Sequence, residues 1–408
     1  MLKDLILSIT NRCNLRCRMC DIPLAETEEL ETRVWERVIQ EAAALGANTV
    51  VFSGGEPLLR EDLCELISFA KKQKMAAFVT SNGILLDEKR AYELLRAGVD
   101  VVNISIEGPE EVHDHFRGKG SFARALSAIK NLRKYDVECT LASVVTAKNF
   151  KHLPFIVELA RQHGVTTFKL QPFNRLFLNT EKKGEEFFLS EEDAPAFKET
   201  IKKVISLCQE YGIGTNPTKY LTEMSGHLVK KHSHGKSDCP ALYLSCPVNA
   251  KGEIYPCWVL GGPAHALGSV KENSLSSIWS SARRSEIIER INKKGCPGCL
   301  MSCYDDNFGK QGLDEKISRN WGLLRREGPR GYFSSLATRW KKRWNFYASW
   351  RGDAQSAWRR IQGKLTRKNP PFGVEKKEKA IAIALEELRG VKRIFEQEIK
   401  KTAKRSGS

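Results

Sequence analysis

Three thiols stand close together near the start of the chain, in the run Cys13-Asn14-Leu15-Arg16-Cys17-Arg18-Met19-Cys20. Thiolates at x3 and x2 spacing on one short loop can hold three corners of a four-iron, four-sulfur cube, which leaves the fourth iron without a protein ligand. Structural metal sites are normally closed, and an open coordination position is where chemistry starts. A second chemical motif is Ser53-Gly54-Gly55-Glu56-Pro57, after the apolar run Asn48–Phe52. Two glycines let the backbone approach a ligand or another chain segment closely, and the proline fixes the turn. A third is Asn103-Ile104-Ser105-Ile106-Glu107-Gly108, whose carboxylate suits paired hydroxyl donors.

Each motif follows a strand-like run, which places all three at one end of a sheet. The runs Leu5–Ile9, Thr49–Phe52, Ala76–Thr80, Val101–Ile106, Cys139–Val145 and Thr166–Leu170 alternate with helical patterns. Those patterns cover Glu31–Leu45, Asp62–Lys74, Glu88–Ala97, Phe122–Tyr135, Leu153–His163 and Ser190–Tyr211, the last with a capping pair at Ser190 and Asp193. Repeated β-α units with short links predict parallel strands joined by right-handed crossovers, with the chemistry at the C-terminal edge. Cysteines at these spacings alone would also suit zinc. The triplet and the glycine motif in order, each after a strand, favour the iron–sulfur assignment.

On these motifs the sequence resembles the radical S-adenosylmethionine enzymes. The resemblance implies that Cys13, Cys17 and Cys20 hold a 4Fe–4S cluster that binds S-adenosylmethionine. It implies that Gly54, Gly55, Glu56 and Pro57 receive the methionine amino group. Ser105 and Glu107 are expected at the ribose, and Arg117 at the cofactor carboxylate. The family usually has an aromatic residue before the third cysteine; here Met19 stands there, and its polarizable thioether is expected at adenine. The implied fold is a partial (β/α)6 TIM-like barrel across residues 1–215.

A second cysteine-rich segment, residues 236–310, contains Cys239, Cys246, Cys257, Cys296, Cys299 and Cys303. The run Gly252–Cys257 reads as a hairpin strand returning its cysteine toward Cys246. The segment is similar to the small α+β SPASM and twitch extensions that bind auxiliary iron–sulfur clusters. One auxiliary 4Fe–4S cluster is expected through Cys246, Cys257, Cys296 and Cys299, with Cys239 and Cys303 as candidates to replace one of them. A structural zinc site is the alternative. Cys64, Cys139 and Cys208 read as ordinary buried side chains. His113 and His115 are expected to cap or line a loop, and His227, His232 and His234 to lie in a solvated loop or helix end.

The charge of +17 is uneven: from Trp321 onward there are 23 Lys and Arg against 8 Asp and Glu, a surplus of 15. The rest is close to neutral and needs no polyanionic partner. Residues 311–408 read as a basic, Trp-rich helical extension, with Trp340, Trp344, Trp350 and Trp358 among arginines and lysines. Indole rings and basic residues suit an anionic membrane surface, predicting a peripheral contact through residues 330–368. RNA, or packing of the aromatic face on the barrel or on a second subunit, is the alternative. No run reaches the ~20 apolar residues of a transmembrane helix. The chain enters its first strand without a signal peptide, so a cytoplasmic protein is expected. A first strand without a preceding peptide-recognition domain counts against a leader-peptide substrate.

The resemblance implies reductive cleavage of S-adenosylmethionine to a 5′-deoxyadenosyl radical. That radical removes hydrogen from, or adds to, an unidentified substrate, for which the basic, Trp-rich extension points to a membrane or lipid link. Peptide, protein or RNA modification is the alternative. A low-potential donor such as flavodoxin or ferredoxin is the expected electron partner. An iron–sulfur electron carrier without catalysis would need only the cysteines.

Overall fold

The computed structural model describes residues 2–301 except 26–27, 176–177, 179–183, 231–238, 295 and 297–298. Cys303, His232, His234 and the extension 311–408 lie outside the described residues. Six parallel strands come first: β1 (Asp4–Thr10), β2 (Thr49–Gly54), β3 (Ala76–Ser81), β4 (Val101–Ser105), β5 (Glu138–Val145) and β6 (Thr167–Pro172). They lie side by side in sequence order, as right-handed crossovers require, and form the partial barrel. β1 is buried at every position from Leu5 to Thr10, whereas β2, β3 and β6 alternate buried and half-buried positions.

The helices α1 (Thr32–Ala44), α2 (Leu63–Lys72), α3 (Glu88–Ala97), α4 (Glu110–Arg117), α5 (Ser121–Lys134), α6 (Leu153–Gln162), α7 (Ala194–Tyr211) and α8 (Thr218–Lys230) cover this sheet. α1 shows why they do so: Trp35, Val38, Ile39 and Ala42 recur at three-to-four spacing and are all buried. α3 has a cap at each end, with Asp87 accepting from the Arg90 amide and Gly98 in the left-handed conformation. Ser190 and Asp193 do bond one another, but α7 starts only at Ala194 and neither side chain caps it.

Two elements depart from the sequence expectation. α4 occupies what reads as a loop, since its eight residues are mostly polar and lie between glycines. Its end is held by Asp114, which accepts from the Phe122 amide and the Ser121 hydroxyl. α8 occupies the supposed polar run, with Tyr220, Leu221, Met224 and Leu228 buried at helical spacing. His227 is therefore 4 % exposed instead of solvated, with Nε2 beside the Phe173 carbonyl at 3.3 Å. His113 likewise sits on α4 and is fully buried.

The cysteine-rich segment continues the same sheet. After α9 (Ala241–Leu244), strand β7 (Ser245–Val248) pairs in parallel with the outer side of β1, setting Cys246 opposite Leu5. β8 (Glu253–Ile254) and β9 (Gly268–Ser269) follow antiparallel, giving nine strands among the described residues. The β7–β8 turn needs glycine at 252: φ is +88°, and a Cβ there would lie 2.9 Å from Val270 Cγ2. α10 (Leu275–Trp279) and α11 (Ala282–Lys294) close the segment. Among the described residues no helix is long and apolar enough to cross a membrane.

Candidate active site

Cys13, Cys17 and Cys20 lie on the loop that leaves the C-terminal end of β1, and all three are half-buried. The base of the loop is clamped by charge. Arg12 forks onto Glu29 at 2.8 and 3.0 Å, and the Thr10 hydroxyl donates to the same carboxylate. Beneath it the buried Arg60 holds Asp62 at 2.6 and 2.8 Å and donates to the carbonyls of Ile9 and Leu30.

The end of β2 lies directly on this loop. The Gly55 amide donates to Thr10 O at 2.7 Å, and the Glu56 amide to Arg12 O at 2.8 Å. A Cβ on Gly54 would stand 2.2 Å from Thr10 O, and one on Gly55 2.1 Å from Arg12 O, so no other residue fits. The Glu56 carboxylate is fully buried. One oxygen accepts from Ser81 Oγ and the Leu58 amide, the other from the Asn82 amide at 2.8 Å. Burial raises its pKa against the lowering effect of these bonds. Asn82 Nδ2 bonds Asn14 Oδ1 at 2.8 Å and lies 3.8 Å from Cys13 Sγ.

The fourth strand contributes a buried ion pair. Arg117 donates to Glu107 Oε1 at 2.9 and 2.6 Å, while Glu107 Oε2 accepts from Ser143 Oγ and the Val144 amide. Both Glu107 oxygens are thus engaged within the protein, and the geometry gives this residue the task of fixing Arg117. Arg117 Nη1 lies 3.9 Å from Cys17 Sγ. The Glu107 amide donates to His113 Nδ1 at 3.2 Å, and burial pulls the His113 pKa down to about 3 with Arg117 adding to the effect. Ser105 is half-buried at the end of β4, and Met19 is buried with the apolar core at 5 % exposure.

Backbone amides face the thiols: Leu15 at Cys13 and Ile22 at Cys20. Hydrogen bonds of this kind stabilise thiolates and tune bound clusters. Burial pushes Cys17 up to about 11, with Arg117 opposing and the other two thiols adding to the rise. The three thiols therefore feel one another, and a bound cation would be what removes their protons. Among the described residues no three His, Cys, Asp or Glu converge as a single metal ion would need. The donor chemistry, the amide pattern and the glycine approach fit a cluster with three thiolates.

The cysteines expected at the second site have different surroundings. Cys257 is raised to about 12 mainly by burial; the Val259 and Leu260 amides oppose this, and Cys299 and Cys296 add to it. Cys257 thus lies within electrostatic reach of both Cys296 and Cys299. Cys246 is fully buried in β7, also raised to about 12 by burial, and the charge it meets among the described residues is the Arg284 guanidinium. A pleated strand with α9 and the barrel around it leaves that thiol inside the sheet core. Beyond Cys299, the Leu300 carbonyl accepts from both Gln171 Nε2 at 2.9 Å and Tyr220 OH at 2.8 Å. Sequence reasoning missed Ser81, Asn82, Gln171 and Tyr220. The polar run Ser81-Asn82-Gly83 at the end of a predicted strand carries a readable signal, whereas nothing local marks Tyr220.

The fold is thus a β/α barrel whose strand ends carry a thiol-bearing loop, with a cysteine-rich hairpin added to its first strand. Residues 7–160 match the radical SAM superfamily and residues 239–304 match the SPASM iron-sulfur cluster-binding domain, so the chain is a radical SAM enzyme with a SPASM domain. The SPASM match begins at Cys239. An Fe-coproporphyrin III synthase of Methanosarcina barkeri is 27% identical over 70% of this chain and 76% of its own length. An AdoMet-dependent heme synthase of the same organism is 28% identical over 72% and 90%. A PqqA peptide cyclase of Gluconobacter oxydans is 37% identical, over 40% of this chain and 46% of its own length. Among solved structures, Streptococcus suis SuiB superposes with a TM-score of 0.58 at 17% identity, covering 72% of this chain and 68% of that one. The AdoMet-bound anSMEcpe gives 0.57 at 20% identity, over 80% and 98%. The cofactors are a 4Fe–4S cluster, S-adenosylmethionine and auxiliary iron–sulfur.

Proposed function

We propose that Cys13, Cys17 and Cys20 hold the cluster that cleaves S-adenosylmethionine, and that the reaction oxidises a carbon–hydrogen bond of a peptide substrate. The observation that carries this reading is the convergence of the cysteine loop, Gly54-Gly55-Glu56, Asn82 and Arg117 at one edge of the barrel. Held by Cys13, Cys17 and Cys20, the cluster would supply the electron for reductive cleavage of the cofactor sulfonium, the chemistry that makes hydrogen abstraction from the substrate available. The protein's part is placement. The Gly54-Gly55-Glu56 turn is assigned to the methionine amino group, with the Glu56 carboxylate, its oxygens taken by Ser81, Leu58 and Asn82, holding the shape of the turn and Pro57 fixing its direction. Arg117, fixed by Glu107, supplies the cation for the cofactor carboxylate. Ser105, half-buried at the end of β4, is assigned to a ribose hydroxyl, and the buried Met19 to the adenine.

The auxiliary cluster is assigned to Cys257, Cys296 and Cys299 with Cys239 as fourth ligand in place of Cys246. Held there, it would supply an acceptor for the electron of a net substrate oxidation. The peptide class is supported by the PqqA cyclase relative and by the SuiB structure solved with its precursor peptide SuiA. An iron porphyrin is the second reading, favoured by the two Methanosarcina relatives that span most of this chain. The membrane- or lipid-linked substrate rests on residues 330–368, outside the described residues, and no relative supports it. The test is anaerobic incubation of reconstituted protein with dithionite and S-adenosylmethionine. 5′-Deoxyadenosine should form in the wild type and not in Cys13→Ala, Cys17→Ala or Cys20→Ala. Its formation in those variants would refute the assignment. Deuterium transfer to 5′-deoxyadenosine from labelled peptide or labelled porphyrin then decides the substrate class.

A further inference from the structure

The turn that leaves β3, Ser81-Asn82-Gly83-Ile84, is tied down before it reaches the cysteine loop. Ser81 Oγ donates to one oxygen of the buried Glu56 carboxylate at 2.9 Å, and the Asn82 amide donates to the other at 2.8 Å. The Gly83 amide closes back on Ser81 Oγ at 3.0 Å. Gly83 has a φ of +80°, and a Cβ there would lie 3.1 Å from the Ala128 Cβ, so the turn has little room to shift. Asn82 is buried at the end of this turn.

The Asn82 side chain is oriented by its neighbours. Its Oδ1 accepts from the Ile84 amide at 2.9 Å, a donor that would oppose an NH2 group in the same place. Nδ2 therefore faces the cysteine loop. One of its hydrogens goes to Asn14 Oδ1 at 2.8 Å and the other to Cys13 Sγ at 3.8 Å. The turn needs only the backbone amide and Oδ1 of this residue, both of which an aspartate would also supply. Nδ2 is left over from that task, and it is aimed at a sulfur. The three thiols also differ in their donors. Arg117 stands 3.9 Å from Cys17, the Ile22 amide faces Cys20, and Cys13 takes the Leu15 amide at 3.5 Å together with a neutral side chain from another strand.

We propose that Asn82 is a positioning residue that acts through Cys13, its Nδ2 donating to the ligand sulfur and raising the potential at which the N-terminal cluster takes up an electron. This rests on the assignment of that cluster to Cys13, Cys17 and Cys20. The step concerned is the uptake of one electron from a low-potential reductant; no bond forms or breaks and no proton moves. The added negative charge spreads onto the sulfurs, so a donor aimed at one of them favours the reduced form. Burial away from water strengthens that donor. Glu56 holds the Asn82 amide, so the turn assigned to the methionine amino group and the donor at Cys13 move as one unit.

The test is a redox titration of the reconstituted full chain followed by electron paramagnetic resonance, reading the signal that changes shape when S-adenosylmethionine is added. Asn82→Ser keeps an acceptor for the turn and is too short to reach Cys13. Asn82→Asp keeps the same acceptor and puts an anion in place of the donor. At a fixed potential the ratio of reduced to oxidised cluster should fall about tenfold in Asn82→Ser, which is about 59 mV for a one-electron couple. It should fall further in Asn82→Asp. Asn14→Ala leaves Nδ2 at the sulfur and should change the ratio by less than about threefold. A merely structural Asn82 would alter iron content and leave the potential of the retained cluster where it was. Unchanged potential in both Asn82 variants, loss of the N-terminal iron in both, or an equal fall in Asn14→Ala would overturn the role of Asn82. A wild type with no signal that responds to S-adenosylmethionine would instead overturn the cluster assignment.

Discussion

The two thiol groups are assembled by opposite strategies. The first lies on one loop, and the end of β2 and helix α4 hold it through main-chain bonds: Gly55 to Thr10, Glu56 to Arg12 and Arg18 to Phe116. The second gathers Cys257 and the Cys296–Cys299 pair, with α10 and α11 between them in the chain. Its last described carbonyl hangs on two side chains of the barrel, Gln171 and Tyr220. A loop built on backbone contacts tolerates few changes at its glycines. A site closed over a long connection depends on distant side chains and on the ligand that ties it.

The largest expected effect therefore belongs to the first site. Gly55→Ala puts a methyl group 2.1 Å from the Arg12 carbonyl, and the strand end or the cysteine loop must move. Reconstituted Gly55→Ala should lose the N-terminal cluster, and with it 5′-deoxyadenosine formation by a factor of ~100 or more, since a 1 Å misplacement alone costs on that order. Retention of both would show the loop to be independent of β2. Next is the ion pair beneath it. Glu107 is fully buried and Arg117 nearly so. Glu107→Leu leaves a buried guanidinium unpaired, which should cost about 3–5 kcal/mol in urea unfolding. A loss under ~1 kcal/mol would mean that water or the cofactor site solvates Arg117.

How far the sequence reaches follows the same division. The strand–helix alternation locates all six barrel strands within two residues, because apolar periodicity is a local property. The cysteine loop and glycine motif are local too, and the structure brings them together. What local pattern misses is decided by tertiary contact. α4 is too polar and short to show a period, and α8 hides its buried face in a run rich in Ser, His and Lys. Cys246 has the look of a ligand by spacing. Its place in β7 beside Leu5 and its full burial are tertiary facts that spacing does not carry. Asn82 became visible at Cys13 once β3 was placed beside β2.

The ligand assignment in the second site tests that last point. Cys239→Ala and Cys257→Ala should each lose the auxiliary iron, reducing iron per chain by about four, the content of one 4Fe–4S cluster. Cys246→Ala should keep it and lose only the small stability of a buried side chain. Iron loss in Cys246→Ala with retention in Cys239→Ala would restore the four-cysteine set read from spacing.

The smallest effect is a titration confined to the barrel side. His113 is buried, its Nδ1 accepts from the Glu107 amide, and its pKa falls from 6.5 to about 3. The folded state thus refuses a proton that the unfolded chain accepts. Above pH 6.5 neither state is protonated and His113 makes no pH-dependent contribution. Below it the unfolded chain gains a proton, and stability declines by up to about 1.4 kcal/mol per pH unit until the folded pKa is reached. Urea unfolding between pH 7 and 5 should show this slope, and His113→Gln should flatten it. Gln keeps an acceptor for the Glu107 amide and has no proton to gain. An unchanged slope in the variant would place the acid sensitivity elsewhere.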